Sequence, residues 1–122
     1  LDWILNQIWQ HGRDLLLVVD ETGSWQSPGQ VPDTMMMMLA QGRHQQIDQI
    51  YVARRPTEVN RMVTAMADCA YVFGTTEPRD VDYVSRYIGS DVAEKITLLA
   101  RFRYLRFDVP DVITFGTVTK IL

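Results

Sequence analysis

Lysine is nearly missing from this 122-residue sequence: of twelve basic residues ten are arginine, and only Lys95 and Lys120 are lysine. Neither lysine closes a G-x-x-x-x-G-K-[ST] run. The chain therefore holds no phosphate loop of that type, in which backbone N–H groups cradle phosphates and the lysine reaches the terminal oxygens. Cysteine is rarer still. Cys69 stands alone, so an internal disulfide is excluded and a reducing compartment is expected. The two histidines, His11 and His44, lie far apart without accompanying cysteines, which argues against a zinc site. The longest apolar runs, Leu15–Val19 and Met35–Ala40, fall far short of the ~20 residues of a membrane span. No basic-plus-apolar leader opens the sequence. Charge of one sign is also in short supply. A net charge of −3 gives no global attraction to nucleic acid, so any such contact needs a local patch. What is plentiful is apolar surface: 47% hydrophobic and 22% charged residues exclude a disordered chain and suit a single core. The sequence starts at Leu1 without an initiator methionine, so processing or a longer parent is expected.

Apolar spacing predicts a helix over residues 2–11, with Ile4, Leu5, Ile8 and Trp9 on one side, Asp2 at its start and Gly12 after its end. Leu15–Val19 is apolar at every position, the pattern of a strand in a parallel sheet covered on both faces. Residues 22–32 are rich in Gly, Ser, Gln and Pro and read as a loop. A helix follows from Asp33 through the four methionines to Ala40 or Gln41, then a strand over Ile50–Ala53. Pro56 suits the first turn of a helix carrying a Val59, Met62, Val63, Met66 stripe. Ala70–Phe73 reads as a third strand. Thr76 can cap a helix from Pro78 with Val81, Val84, Tyr87 and Ile88 inward, and Asp91 and Glu94 have capping-box spacing for another. Tyr104–Val109 and Val112–Val118 flank Pro110-Asp111 and predict a hairpin over 102–119. Alternating strands and helices are the α/β signature.

Chemistry concentrates in Leu15–Glu21, LLLVVDE. An apolar strand ending in two acids presents its carboxylates at the strand's carboxyl end, where open α/β sheets keep their ligands. In a nucleotide hydrolase Asp20 would hold Mg²⁺ through its water shell and Glu21 would polarise the attacking water. A capped strand end gives the same local pattern.

The residues that follow narrow the choice. Gly42-Arg43-His44 precedes the strand Gln49–Ala53; then come Arg54-Arg55-Pro56, Val59-Asn60-Arg61 and the stretch from Asp80 to Gly89. In this order they resemble the FtsK–HerA superfamily of P-loop ATPases, ring-shaped DNA pumps and viral packaging motors, over most of residues 15–100. The resemblance implies a RecA-like P-loop NTPase three-layer sandwich, present in part: parallel strands with flanking helices plus a C-terminal hairpin. It implies that Asp20 and Glu21 are the Walker B pair, on a strand running from residue 15 to 20. Arg43 matches an arginine that reaches a neighbouring subunit's nucleotide. Arg54 stands where the family usually has a glutamine sensor before Arg-Pro. An arginine can bind a γ-phosphate but cannot also accept a hydrogen bond from the lytic water; a charged strand exit is the other reading. The family places its phosphate-loop strand between the strands here read as 49–53 and 70–73. The expectation is therefore that residues 1–122 are the C-terminal part of one ATPase domain.

Other residues carry two readings each. The methionine run suits a core or subunit-contact helix. Trp25, with Gln26 and Gln30, either lines a DNA channel or packs on its own loop. Arg101, Arg103 and Arg106, with Phe102 and Tyr104 interleaved, suit a phosphate-contacting edge or the blunting of an edge strand. Cys69 reads as a buried structural thiol. What the resemblance implies overall is a cytoplasmic (bacterial, archaeal or virus-associated), ATP- and Mg²⁺-dependent subunit of a homo-oligomeric, hexameric ring acting on double-stranded DNA. A degenerate, non-catalytic ATPase-like domain that assembles or binds partners is the alternative. An unrelated α/β hydrolase or regulator using the acidic pair for Mg²⁺ is a third.

Overall fold

Two short stretches of paired strands organise the chain, each backed by helices on one side. The computed structural model describes residues 2–25 and 29–119; Gln26 and Lys120 lie outside the described residues, as do Ser27 and Pro28 of the loop. The chain divides into two compact units, Leu1–Met66 and Ala67–Leu122.

In the first unit, helix α1 (Asp2–His11) leads through Gly12 into strand β1 (Leu15–Val19). Helix α2 (Asp33–Gln41) then crosses over to strand β2 (Ile47–Tyr51), which pairs with β1 in parallel from Leu15↔Ile47 to Val19↔Tyr51. A parallel pair needs such a crossover. Leu5, Met35, Met38, Ile47 and Val63 form the buried core, so the methionine run is core material. The second strand thus lies at 47–51 rather than at the expected 49–53 or 50–53. Its register follows the buried Ile47, which the sequence pattern had left outside. The helix expected from Pro56 is also shorter. Pro56–Glu58 form a 3-10 turn, Val59 is extended, and helix α3 (Arg61–Met66) starts anew. Asn60 decides this: its Oδ1 accepts the Met62 N–H at 2.9 Å, the geometry of an N-cap. Val63 alone of the predicted stripe is then buried, while Met62 and Met66 are exposed. One further expectation fails. Leu15–Val19 is covered on one face, and Leu16 and Val18 on the other are 57% and 54% exposed.

In the second unit, strand β3 (Cys69–Phe73) is followed by helices α4 (Pro78–Ile88) and α5 (Ser90–Ile96), then by the hairpin β4 (Arg103–Asp108) and β5 (Val112–Thr117). The order is β3-β4-β5, antiparallel throughout. Val84, Ile88, Ala93, Ile96, Leu105 and Phe107 form its core. Glu77, not Thr76, precedes α4; the Thr75 hydroxyl accepts the Glu77 N–H. Gly89, at φ 97°, breaks the chain between α4 and α5, a conformation that costs glycine little. Helix α5 therefore begins at Ser90, and the Asp91/Glu94 capping box does not form. On the outer face the Tyr104 ring lies over Gly116, where a Cβ would collide with it, and meets Tyr71 and Phe73 edge to face.

Leu105 is fully buried while Leu98 is 84% exposed. Leu105→Ala is expected to lower stability by about 2–5 kcal/mol, and Leu98→Ala by no more than about 0.5 kcal/mol, both read from urea unfolding.

Candidate functional site

Parallel pairing brings the carboxyl ends of β1 and β2 side by side, and the two chains are pinned together just beyond them. The Val52 N–H donates to the Val19 carbonyl at 2.9 Å, and the Thr22 N–H donates to the Val52 carbonyl at 2.8 Å. The Thr22 hydroxyl donates to the same Val52 oxygen at 2.7 Å, with the Val19 carbonyl at 3.3 Å, and Thr22 is fully buried. Between these anchors the backbone must turn within Asp20-Glu21. Glu21 does so in the left-handed region, φ 50° and ψ 51°, a conformation that costs a non-glycine residue about 1–3 kcal/mol and recurs at functional sites. The Glu21 N–H donates to Asp20 Oδ1 at 2.8 Å, and the Trp25 indole N–H donates to the Asp20 carbonyl at 3.1 Å. Trp25, half exposed, is thus tied to the turn that carries the acids.

Arg54 follows the end of β2, and its Nη2 forms an ion pair with Glu21 Oε1. Both side chains are exposed, and the Glu21 carboxylate holds the Arg54 guanidinium above its ordinary pKa, first through the hydrogen bond and then through charge, with smaller contributions from Glu58 and Asp20. Glu21, Gly23, Ser24, Arg54 and Glu58 line an open hollow of about 190 Å³. Gly23 belongs there because a Cβ would come within 2.9 Å of Glu58 Cβ. With two carboxylates and one guanidinium, the hollow does not by itself attract a polyanion. Among the described residues no three His, Cys, Asp or Glu side chains gather as a metal cage. Mg²⁺ needs none, because it is usually held by one or two carboxylates, waters and substrate phosphates. The adjacent acids Asp20 and Glu21 fit that donor set.

Asp20, Glu21 and Arg54 are therefore brought together, and Arg43 is not. Arg43 sits exposed in the turn Gly42–Gln45 that enters the amino end of β2, and five parallel residues separate that end from the acids by roughly 16 Å. Gln49, the glutamine of β2, does not replace the missing sensor: its Nε2 donates to the Met38 carbonyl and its Oε1 accepts from Tyr51, on the core side. Burial raises the Tyr51 hydroxyl to a pKa of about 12. The arginines of the hairpin do not form one patch. β4 is the central strand of its sheet, not an edge, and Arg106 pairs with Asp108 and lies over Tyr71. Arg101 packs on Phe102 in the preceding loop. Cys69 is half-buried. Sequence reading missed Thr22, whose only signal was its place after the acids, and Glu58, which nothing in the sequence distinguished.

A parallel β-α-β crossover with paired acids at its carboxyl end in one unit, and an antiparallel sheet with helices in the other, make up the α/β architecture of part of a P-loop NTPase fold. No protein-family model and no curated protein matches the sequence. Among solved structures, the chain is similar to the genome packaging NTPase B204 from Sulfolobus turreted icosahedral virus 2. In complex with AMPPCP, that protein matches with a TM-score of 0.85 at 23% identity, over 98% of this chain and 63% of that one. In complex with sulfate it matches at 0.84 and 25%, over 99% and 63%. A further structure, B204, the DNA-packaging ATPase from Sulfolobus turreted icosahedral virus, matches at 0.85 and 23%, over 98% and 63%. The chain thus spans somewhat under two thirds of the length of these proteins.

Exposed ion pairs contribute little to stability, so Glu21→Gln is expected to leave the urea midpoint unchanged. Thr22→Val, which removes a buried hydrogen-bonded hydroxyl, is expected to cost about 1 kcal/mol. A large loss with Glu21→Gln would show that the carboxylate serves the fold.

Proposed function

We propose that this chain is the C-terminal part of the ATPase domain of a DNA-packaging or DNA-translocating motor subunit of the FtsK–HerA type, hydrolysing ATP at subunit interfaces of a homo-oligomeric ring. The observation that carries the reading is the placement of Asp20 and Glu21 at the carboxyl end of β1, beside Arg54, which follows the end of β2, within a fold shared with packaging NTPases in complex with nucleotide analogues. In this reading Asp20 holds Mg²⁺ through water, and Glu21 orients and deprotonates the attacking water. Mg²⁺, when bound, would neutralise charge building on the β- and γ-oxygens. Arg54 is a γ-phosphate contact in the sensor position, and its present partner, Glu21, marks how near the two groups lie.

The hollow's acidic balance supports a missing partner of opposite charge: phosphates would need the backbone donors and lysine of a phosphate loop. Among the described residues β2 pairs only with β1, and β3 only with β4. Each therefore has an edge open to a further strand, and in this proposal the phosphate-loop strand of the complete protein occupies them. Arg43, at the far end of β2, is then a trans residue acting on a neighbouring subunit's nucleotide. One observation favours a non-catalytic domain instead: the Arg54 guanidinium occupies the Glu21 carboxylate, where a glutamine would leave it free. A nucleotide-binding measurement on the complete protein separates the two readings.

In the complete protein, Glu21→Gln is expected to lower ATP turnover at least ~100-fold, the range of a lost general base, while nucleotide binding is kept. Unchanged hydrolysis would remove Glu21 from the mechanism. Arg43→Ala is expected to lower turnover by ~10³-fold or more, as for other trans arginines. Mixing Arg43→Ala with Glu21→Gln subunits should restore part of it, because some interfaces then carry both intact groups. No recovery on mixing would return Arg43 to the role of a solvated turn residue.

A further inference from the structure

The peptide that joins Asp20 to Glu21 is held at both of its polar groups. Its N–H, on Glu21, donates to Asp20 Oδ1 at 2.8 Å, and its carbonyl, on Asp20, accepts the Trp25 indole N–H at 3.1 Å. The peptides on either side belong to the strand ladder: the Val19 carbonyl accepts the Val52 N–H, and the Thr22 N–H donates to the Val52 carbonyl. Only the peptide between them can turn over without breaking that ladder, because the turn alters only the Asp20 ψ and the Glu21 φ. Glu21 stands at φ 50°. A rotation of about 180° would carry it to roughly −130°, in the relaxed extended region. The observed orientation is the strained one of the two, and its hydrogen bonds are what hold it.

We propose that Trp25 is a positioning residue: its indole N–H holds the Asp20–Glu21 peptide in the left-handed orientation and so aims the Glu21 carboxylate. Its bearing on catalysis rests on the reading of Glu21 as the group that activates water. Three features suit the indole to this task. It is a donor only, so it holds a carbonyl but offers nothing to the N–H of a turned peptide, whereas a hydroxyl or amide would accept either orientation. Its place is set by the short turn Thr22–Ser24, in which the Ser24 N–H donates to the Glu21 carbonyl at 2.8 Å and the Trp25 N–H to the Thr22 carbonyl at 3.1 Å. And the other hold, the Asp20 carboxylate, is in the proposed function shared with the water shell of Mg²⁺, which leaves the indole as the hold that does not change with the metal. A turned peptide would put the Asp20 carbonyl where the N–H now stands, against its own carboxylate, so both acids would shift.

Two substitutions in the complete protein test this. Trp25→Phe keeps an aromatic ring and removes the N–H; Trp25→His returns one, because its Nε2 can take the same place in a five-membered ring. Crystal structures are expected to show the indole bond in the unaltered protein, and in Trp25→Phe a turned peptide with Glu21 at negative φ. Trp25→Phe should lower kcat ~10- to ~100-fold, the upper figure being the cost of a misplacement of about 1 Å, with KM unchanged. Trp25→His should recover most of that loss. Added to Glu21→Gln, Trp25→Phe should have no further effect, since no carboxylate is left to aim. An unturned peptide in Trp25→Phe would overturn the proposal, as would an unchanged kcat. So would an equal fall in the Glu21→Gln background, which would make Trp25 a part of the fold and no more. If the unaltered protein hydrolyses no ATP, the motor reading falls alone, and the peptide orientation in the two crystal structures still decides whether Trp25 holds the turn.

Discussion

The short parallel ladder between β1 and β2 is the constraint on which the candidate site depends. Parallel pairing is the arrangement that puts the exits of two strands distant in sequence at the same end of a sheet. Asp20-Glu21 and Arg54, more than thirty residues apart, become neighbours for this reason. The ladder continues past the strands through Val52 and Thr22, whose N–H and hydroxyl both reach the Val52 carbonyl. That closure forces the turn between the last strand residue and Thr22 to be made by two residues, and Glu21 takes up the left-handed backbone that this requires.

In the proposed reading, that geometry is one half of a nucleotide site. The hollow has two acids, one guanidinium and a tight glycine turn, and among the described residues its lining includes no lysine. The sheet has a covered face and a bare aliphatic one, and both β2 and β3 have an edge without a ladder among the described residues. In the proposed reading, chemistry, surface and backbone ask for the same kind of completion. Each is an independent physical demand: charge balance, burial of apolar area, and pairing of backbone polar groups.

Much of this was legible in the residues. The LLLVVDE run, the methionine helix and the hairpin around Pro110-Asp111 declared their structure through period and punctuation, because each is a local pattern that few conformations satisfy. Where reading failed, a nearby competitor prevailed. Asn60 caps a new helix and cuts short the one that Pro56 invited. Ile47 is buried and draws the strand register earlier than the Ile50–Ala53 cluster implied. Gly89 starts α5 two residues before the capping-box spacing allows. The interleaved arginines of the hairpin looked like one basic edge, but β4 lies in the middle of its sheet and Asp108 takes Arg106.

By itself the sequence determined the order and kind of most elements, the acidic strand end and the absence of a phosphate loop, since these follow from residue types at short range. Only the tertiary structure decided that Arg54 meets Glu21, that Arg43 lies at the far end of the sheet from both, and that Thr22 locks the strand exits. It also decided that one face of an all-apolar strand is bare. Those facts depend on which strands pair and in which direction, and pairing is chosen by the free energy of the whole packed core rather than by any residue along the way.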